Sequence, residues 1–268
     1  MMNFTPKALM LLTLQDLEIK FIKSDIHWNN FLKDSGKAAL AAVFPENIYC
    51  ICCGDVTDPD SRSGLCLRCS EKLPWAFENP FRSYMDEFAF DDVWPCVRYG
   101  SYARKIMNGL KNGGQSYMAE NVGQMLAERV QLEWDMPDLF AAVPSHRSKM
   151  QKRGYNQSEL LAEAVAKRLK LPYQKGLLEK TRATASMRMA DGRTRRSMLE
   201  DSFAVSSRFA SLVPGKKVCL VDDVTTTGST ADACARALKA AGAAKVVLLV
   251  FGASSGYKKV EENGAAEP

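Results

Sequence analysis

The chain is poor in histidine: its 268 residues include only two, His27 and His146. Neither has a nucleophile suggestively placed in sequence, so histidine-based acid/base or nucleophilic chemistry has little to stand on. Long hydrophobic runs are missing too. The longest near the N-terminus, residues 8–12, is far short of the ~20 residues that span a bilayer. Gln15, Asp16 and Glu18 follow it with no small-residue cleavage pattern, which argues against a secretory signal. The expectation is a protein without a membrane span, located in the cytoplasm.

No charge of one sign dominates either, with 36 Lys and Arg against 31 Asp and Glu, net +5. The excess is local. Arg147, Lys149, Lys152 and Arg153 lie within nine residues without an acid, a sum of +4. Lys180, Arg182, Arg188, Arg193, Arg195 and Arg196 face Asp191 alone, a sum of +5, so the rest of the chain carries −4. Concentrated cations suit a polyphosphate or nucleic-acid ligand; the plainer alternative is two solvated loops. Aromatic stacking partners are sparse there, Tyr155 being the one nearby, which weakens sequence-independent strand binding. With 46% hydrophobic and 25% charged residues the chain is neither disordered nor fibrous. Its length allows one α/β domain and a small accessory module.

Cysteine, by contrast, is plentiful and crowded. Of eight, Cys50, Cys52, Cys53, Cys66 and Cys69 fall within twenty residues. Cys50, Cys53, Cys66 and Cys69 form two C-x2-C pairs twelve residues apart, with Gly54 directly after the second cysteine. Zn2+ takes four soft ligands in a tetrahedron, and a two-residue gap lets each pair clamp one ion from a tight turn. Glycine lets the backbone curl behind the sulfurs. An all-cysteine set keeps no position open for water, so a structural rather than catalytic metal is expected. Cys52 is left over as a bystander. Cys219 and Cys234 fall on a strand and a helix and read as core residues.

Residues 1–44 read as a leader ending in a short amphipathic helix, 45–80 as the zinc-ribbon module, 81–256 as the main α/β domain and 257–268 as a tail. In the main domain, residues 93–99 and 138–143 pattern as strands and 103–110 as the start of a helix. Residues 157–169 form an amphipathic helix, with Asn156 and Glu159 placed as a capping-box-like start. Residues 218–221 and 246–251 are apolar enough to be buried strands. A helix over 229–241, stopped by Gly242, joins them into a parallel βαβ unit.

The sharpest feature joins the first of these strands to that helix. The strand ends in Asp222 and Asp223, and Thr226, Thr227, Gly228, Ser229 and Thr230 lead straight into the helix. Backbone N–H groups, hydroxyls and a helix N-terminus all favour a phosphate. The two carboxylates suit sugar hydroxyls, or indirect ligation of a Mg2+ carried by a polyphosphate. The carboxyl end of a parallel strand is where open α/β sheets bind ligands.

This segment resembles the phosphoribosyl-pyrophosphate (PRPP) signature of type I phosphoribosyltransferases. Together with the cysteine module it resembles the ComF family, in which a zinc ribbon precedes a phosphoribosyltransferase-like parallel-sheet domain. Residues 99–106 with Leu110 and Lys111, and Val143-Pro144 followed by Arg153-Gly154-Tyr155-Asn156-Gln157, are similar to further family segments. The resemblance implies that residues 226–230 hold the 5′-phosphate and that Asp222 and Asp223 hold the ribose. Arg147, Lys152, Arg153 and Arg195 would face the pyrophosphate and its Mg2+. It places Arg195 and Phe203 in a loop facing the site. Met187 and Met198 stand where the family commonly has Gln and Asn, and Thr226 where purine-salvage enzymes often have a carboxylate, which disfavours a purine-salvage reaction. Three functions follow: phosphoribosyl transfer, a factor in DNA uptake that contacts single-stranded DNA and uptake proteins, or a sensor that keeps the pocket without turnover.

Overall fold

The computed structural model describes residues 48–57, 61, 63–76, 78–111, 118–145, 150–151, 153–181 and 202–254. The leader, the tail, and Arg147, Lys152, Met187, Arg195 and Met198 lie outside the described residues. From Tyr49 onward the chain forms one compact unit. Its strands are β1 (Asp92–Arg98), β2 (Leu139–Ala142), β3 (Leu178–Lys180), β4 (Phe203–Val205), β5 (Lys217–Thr225) and β6 (Lys245–Ala253). Its α-helices are α1 (Leu67–Lys72), α2 (Ser101–Lys111), α3 (Met118–Gln131), α4 (Gln157–Leu169) and α5 (Ser229–Ala240).

Four strands form a parallel sheet in the order β1-β6-β5-β2, and β3 and β4 make a separate antiparallel pair. The sheet is buried on both faces, which is why β5 and β6 read as continuous apolar runs instead of alternating ones. Cys219, Val221, Val247, Leu249 and Phe251 face one core, with α2, α3 and α4. Val218, Leu220, Val246, Leu248 and Val250 face the other, with α5 and Phe203 of β4. Helices that follow β2 and β5 therefore cover opposite faces, and the sheet has a topological switch point between these two neighbours. A crevice must open there, beyond the carboxyl ends of the strands.

The strand and helix expectations in this region are borne out, including the parallel β5-α5-β6 unit. Asn156 caps α4 by accepting from Ser158 N. Glu159 does not complete a capping box; its carboxylate lies 3.5 Å from Lys175 Nζ. The cysteine module does not stand apart, since Cys50, Leu65, Cys69 and Leu73 are buried in the same core as Trp94, Ile106 and Val122. A stretch of some twenty residues is too short to enclose a core of its own, so it borrows that of its neighbour.

Helices α3 and α4 touch most closely at Gly123, where an added Cβ would lie 2.4 Å from Ala164 Cβ. Gly123→Ala should therefore lower stability by about 1–3 kcal/mol through overpacking, although alanine usually favours a helix by about 1 kcal/mol. Denaturant unfolding should find that loss, and Gly123→Ala/Ala164→Gly should recover most of it.

Candidate functional site

Two clusters of chemistry-bearing side chains emerge. In the first, the ligand atoms of Cys50, Cys53, Cys66 and Cys69 all lie within 4.8 Å of one another, and the Cys53 and Cys66 sulfurs are 3.7 Å apart. Metal–sulfur bonds of ~2.3 Å in a tetrahedron put sulfurs ~3.8 Å apart, so the donor set fits a thiolate-bound ion of the zinc-ribbon kind. The turns that produce it are local. Gly54 adopts φ +80° and donates its N–H to Cys50 O, and the Cys69 and Ser70 amides bond to Cys66 O. Arg68, in the first helical turn after Cys66, pairs with Asp55 at the surface of the module. Cys52 stands half-buried beside the four. Cys219 and Cys234 are fully buried core residues, as expected.

The second cluster occupies the crevice between β2 and β5. Asp222 and Asp223 are the sixth and seventh residues of β5, still paired to β6 through Asp222 and Val250. Asp222 Oδ1 accepts from Ser158 Oγ at 2.8 Å and from Asp223 N at 2.8 Å. Asp223 Oδ1 accepts from Val224 N, and its Oδ2 lies 2.5 Å from Lys111 Nζ at the end of α2. Burial first, and then the neighbouring Asp223 charge, push the Asp222 carboxyl up to about 7, against the opposing pull of Ser158 and Lys111.

Directly after the acid pair, the chain turns at Gly228, φ +73°, into α5. A Cβ at Gly228 would sit 3.0 Å from Phe88 Cε1, within a packed cluster of Phe81, Phe88 and Phe90. Only glycine fits both the backbone and the wall. The first backbone hydrogen bond of α5 runs from Asp232 N to Gly228 O, which leaves the Thr230 and Ala231 amides at the helix end without partners from it. Thr226, Thr227 and Thr230 are exposed around that end, and Thr227 Oγ1 is 3.0 Å from Ser229 Oγ. The arrangement can hold a dianion with amides and hydroxyls while two carboxylates stand beside it.

Of the four basic residues assigned to the pyrophosphate, Arg153 is described: its Nη1 donates to Gln157 Oε1 at 3.0 Å. Phe203 is not in a loop facing the site. It lies on β4, where pairing with Lys180 and packing in the α5 core bury it to 5% exposure. Tyr155 gives its hydroxyl to Leu110 O at 2.6 Å and so ties the turn before α4 to the end of α2. Three site contributors escaped the sequence. Ser158 and Lys111 sit in segments that carried the family likeness, but only the fold aims them at the acids. Asp232 was visible as an acid in the first turn of α5, and its Oδ1 accepts from Ala89 N at 2.6 Å, anchoring the aromatic wall.

Residues 156–266 match the phosphoribosyl transferase domain family, so the chain carries a domain of that class. The chain is also a homologue of proteins named for DNA utilization and competence. It is 36% identical over 111 residues to DNA utilization protein YhgH of Escherichia coli O157:H7, covering 41% of this chain and 47% of that one. To competence protein F of Haemophilus influenzae it is 29% identical over 111 residues, 41% and 48% of the two chains. The chain thus spans about half the length of these relatives. Among solved structures, a glutamine PRPP amidotransferase from B. subtilis complexed with ADP and GMP aligns over 49% of this chain and 25% of its own, with 25% identity and TM-score 0.35. A four-cysteine cluster joined to a phosphoribosyltransferase-type domain is the arrangement that the ComF resemblance implies. No helix among the described residues is long and apolar enough to cross a membrane.

Two outcomes follow. Because the native Asp222 carboxyl titrates near 7 and the unfolded one near the ordinary 3.8, the folded chain holds more protons between those values, and stability falls as pH rises through that window. Relative to Asp222→Asn, the wild type should lose on the order of 2 kcal/mol between pH 4.5 and 7.5, read by denaturant midpoints. Chelation or Cys66→Ser should release a thiolate-bound metal, measurable by elemental analysis, and lower the thermal midpoint, because the module shares the main core.

Proposed function

We propose that this protein binds PRPP with Mg2+ as a ComF-type phosphoribosyltransferase-like protein in the cytoplasm, with a structural Zn2+ on Cys50, Cys53, Cys66 and Cys69, and that it serves DNA uptake or utilization. The observation that carries the proposal is the acid pair of β5 leading into a hydroxyl-rich turn at the N-terminus of α5, at the switch point of a parallel sheet. In this assignment residues 226–230 hold the 5′-phosphate through amides and hydroxyls, and Asp222 and Asp223 accept from the ribose hydroxyls. Arg153, with Arg147, Lys152 and Arg195 from the basic segments, neutralises the pyrophosphate. Lys111 must leave Asp223 for that carboxylate to reach a ribose hydroxyl, and Ser158 keeps Asp222 aimed throughout.

Such a site supports glycosyl transfer. Cleavage of the C1′–O bond expels pyrophosphate, the acceptor's lone pair forms the new bond at C1′, and the acceptor's proton leaves to solvent. The basic residues act on charge developing on the leaving group, and the acids act on the cationic sugar. A Mg2+ carried by the pyrophosphate would add to the charge neutralisation that these basic residues provide. A second reading, a non-catalytic factor that contacts single-stranded DNA and reuses the pocket, is favoured by the names of the relatives and by the cation-rich segments.

Calorimetric titration of PRPP with and without Mg2+ tests the proposal. Saturable, Mg2+-dependent binding, abolished in Asp222→Asn/Asp223→Asn, is the expected result. A folded, metal-loaded protein that does not bind PRPP overturns it, and steeply salt-dependent binding of single-stranded DNA under those conditions establishes the second reading in its place.

A further inference from the structure

A second concavity lies at the opposite edge of the sheet, on β1. Residues 74–76 cover that edge, with Ala76 N donating to Cys96 O and Arg98 N to Pro74 O. The last of these bonds along the segment is that of Ala76. The cleft left behind measures about 670 Å³ and is lined by Trp75, Glu78, Pro95, Val97, Arg98 and Ala253, among others. Its aromatic wall is fixed, since Trp75 Nε1 donates to Ser70 O at 2.9 Å. Arg98 is exposed at its mouth, and neither Arg98 nor Glu78 has an ion-pair partner among the described residues. Arg98 and Ala253 are paired across β1 and β6, and Ala253 is paired with Thr225, the last residue before the phosphate turn. Two strand spacings, about 10 Å, separate the Arg98 backbone from that of Thr225.

We propose that this cleft is a nucleoside monophosphate site, with the base against Trp75 and the phosphate on Arg98. An immobile indole gives a planar ring a stacking surface at little entropic cost. An unpaired guanidinium matches phosphate geometry bidentately. Glu78 offers an acceptor to an exocyclic amine. The same chemistry is offered by a free nucleotide and by the 5′-phosphorylated end of a strand. Binding here does not require the acid pair; only its use beside a phosphoribosyl group rests on the function proposed above.

The test is calorimetric titration of the metal-loaded full chain with dAMP and, separately, with a 5′-phosphorylated hexanucleotide. Wild-type binding of dAMP should weaken about tenfold or more in Trp75→Leu, far less in Trp75→Phe, and several-fold in Arg98→Gln with a shallower salt dependence. Asp222→Asn/Asp223→Asn should bind dAMP as the wild type does. Arg98→Gln alters an exposed position and reports on the site even where Trp75→Leu unfolds. No dAMP binding by the folded wild type, or binding that both Trp75→Leu and Arg98→Gln leave unchanged, overturns the proposal. Loss of hexanucleotide binding in the same variants supports it and assigns a strand end; loss confined to dAMP supports it and assigns a free nucleotide. If PRPP fails to bind while dAMP binding depends on Trp75, the phosphoribosyl function falls and this inference stands.

Discussion

Two adjacent carboxylates at the end of a strand buried on both faces are the constraint around which the carboxyl-terminal edge of the sheet is built. Neither charge is cheap there. Adjacent acids repel each other, and burial withholds the water that would screen them. The structure answers with a hydroxyl from α4, an ammonium from α2 and the strand's own amides. These contacts recruit elements far apart in sequence to one place, so the acid pair and the packing of α2 and α4 are one problem. Burial still outweighs the compensation at Asp222, whose carboxyl remains raised, as is common at sites where a ligand is meant to complete the charge balance.

The remainder of the molecule supports that edge in layers. The switch of helices between faces at β2 and β5 opens the crevice, and the Phe81, Phe88 and Phe90 cluster floors the turn that leads into α5. Asp232 stitches this floor to α5 by accepting from Ala89 N, so the turn, the helix and the aromatic wall are held together. The cysteine module has a different role. It feeds Cys50, Leu65, Cys69 and Leu73 into the core on the face of α2 and α3, where an ion would lock a segment too small to order itself.

How far the sequence could be read depended on whether a pattern was local. Helix α4 was legible residue for residue because its apolar stripe and its asparagine cap are both within one segment. Helix α3 was missed: it is buried on almost every side, so Asn121, Gly123 and Arg129 interrupt what would otherwise be an apolar stripe. Its Arg129 is accommodated by Pro95 O and Glu133. The β3–β4 pair escaped notice because two three-residue strands separated by 22 residues leave no periodic signal. The cap at Asn156 was foreseen, whereas Glu159 was turned toward Lys175 by a contact that only the fold creates.

By itself, the sequence determined the chemistry that spacing can encode: four thiols in two tight turns, a strand ending in paired acids, and a hydroxyl-rich turn opening a helix. Such features depend on backbone geometry over a few residues, and residue type is enough to specify them. Tertiary structure alone decided which partners those groups would meet. Ser158 reaches Asp222 across 64 positions of sequence, Lys111 reaches Asp223 from another helix, and Trp75 comes to flank the edge of β1. Those encounters depend on strand order and on which face each helix covers, and both are set by burying the whole apolar surface at once.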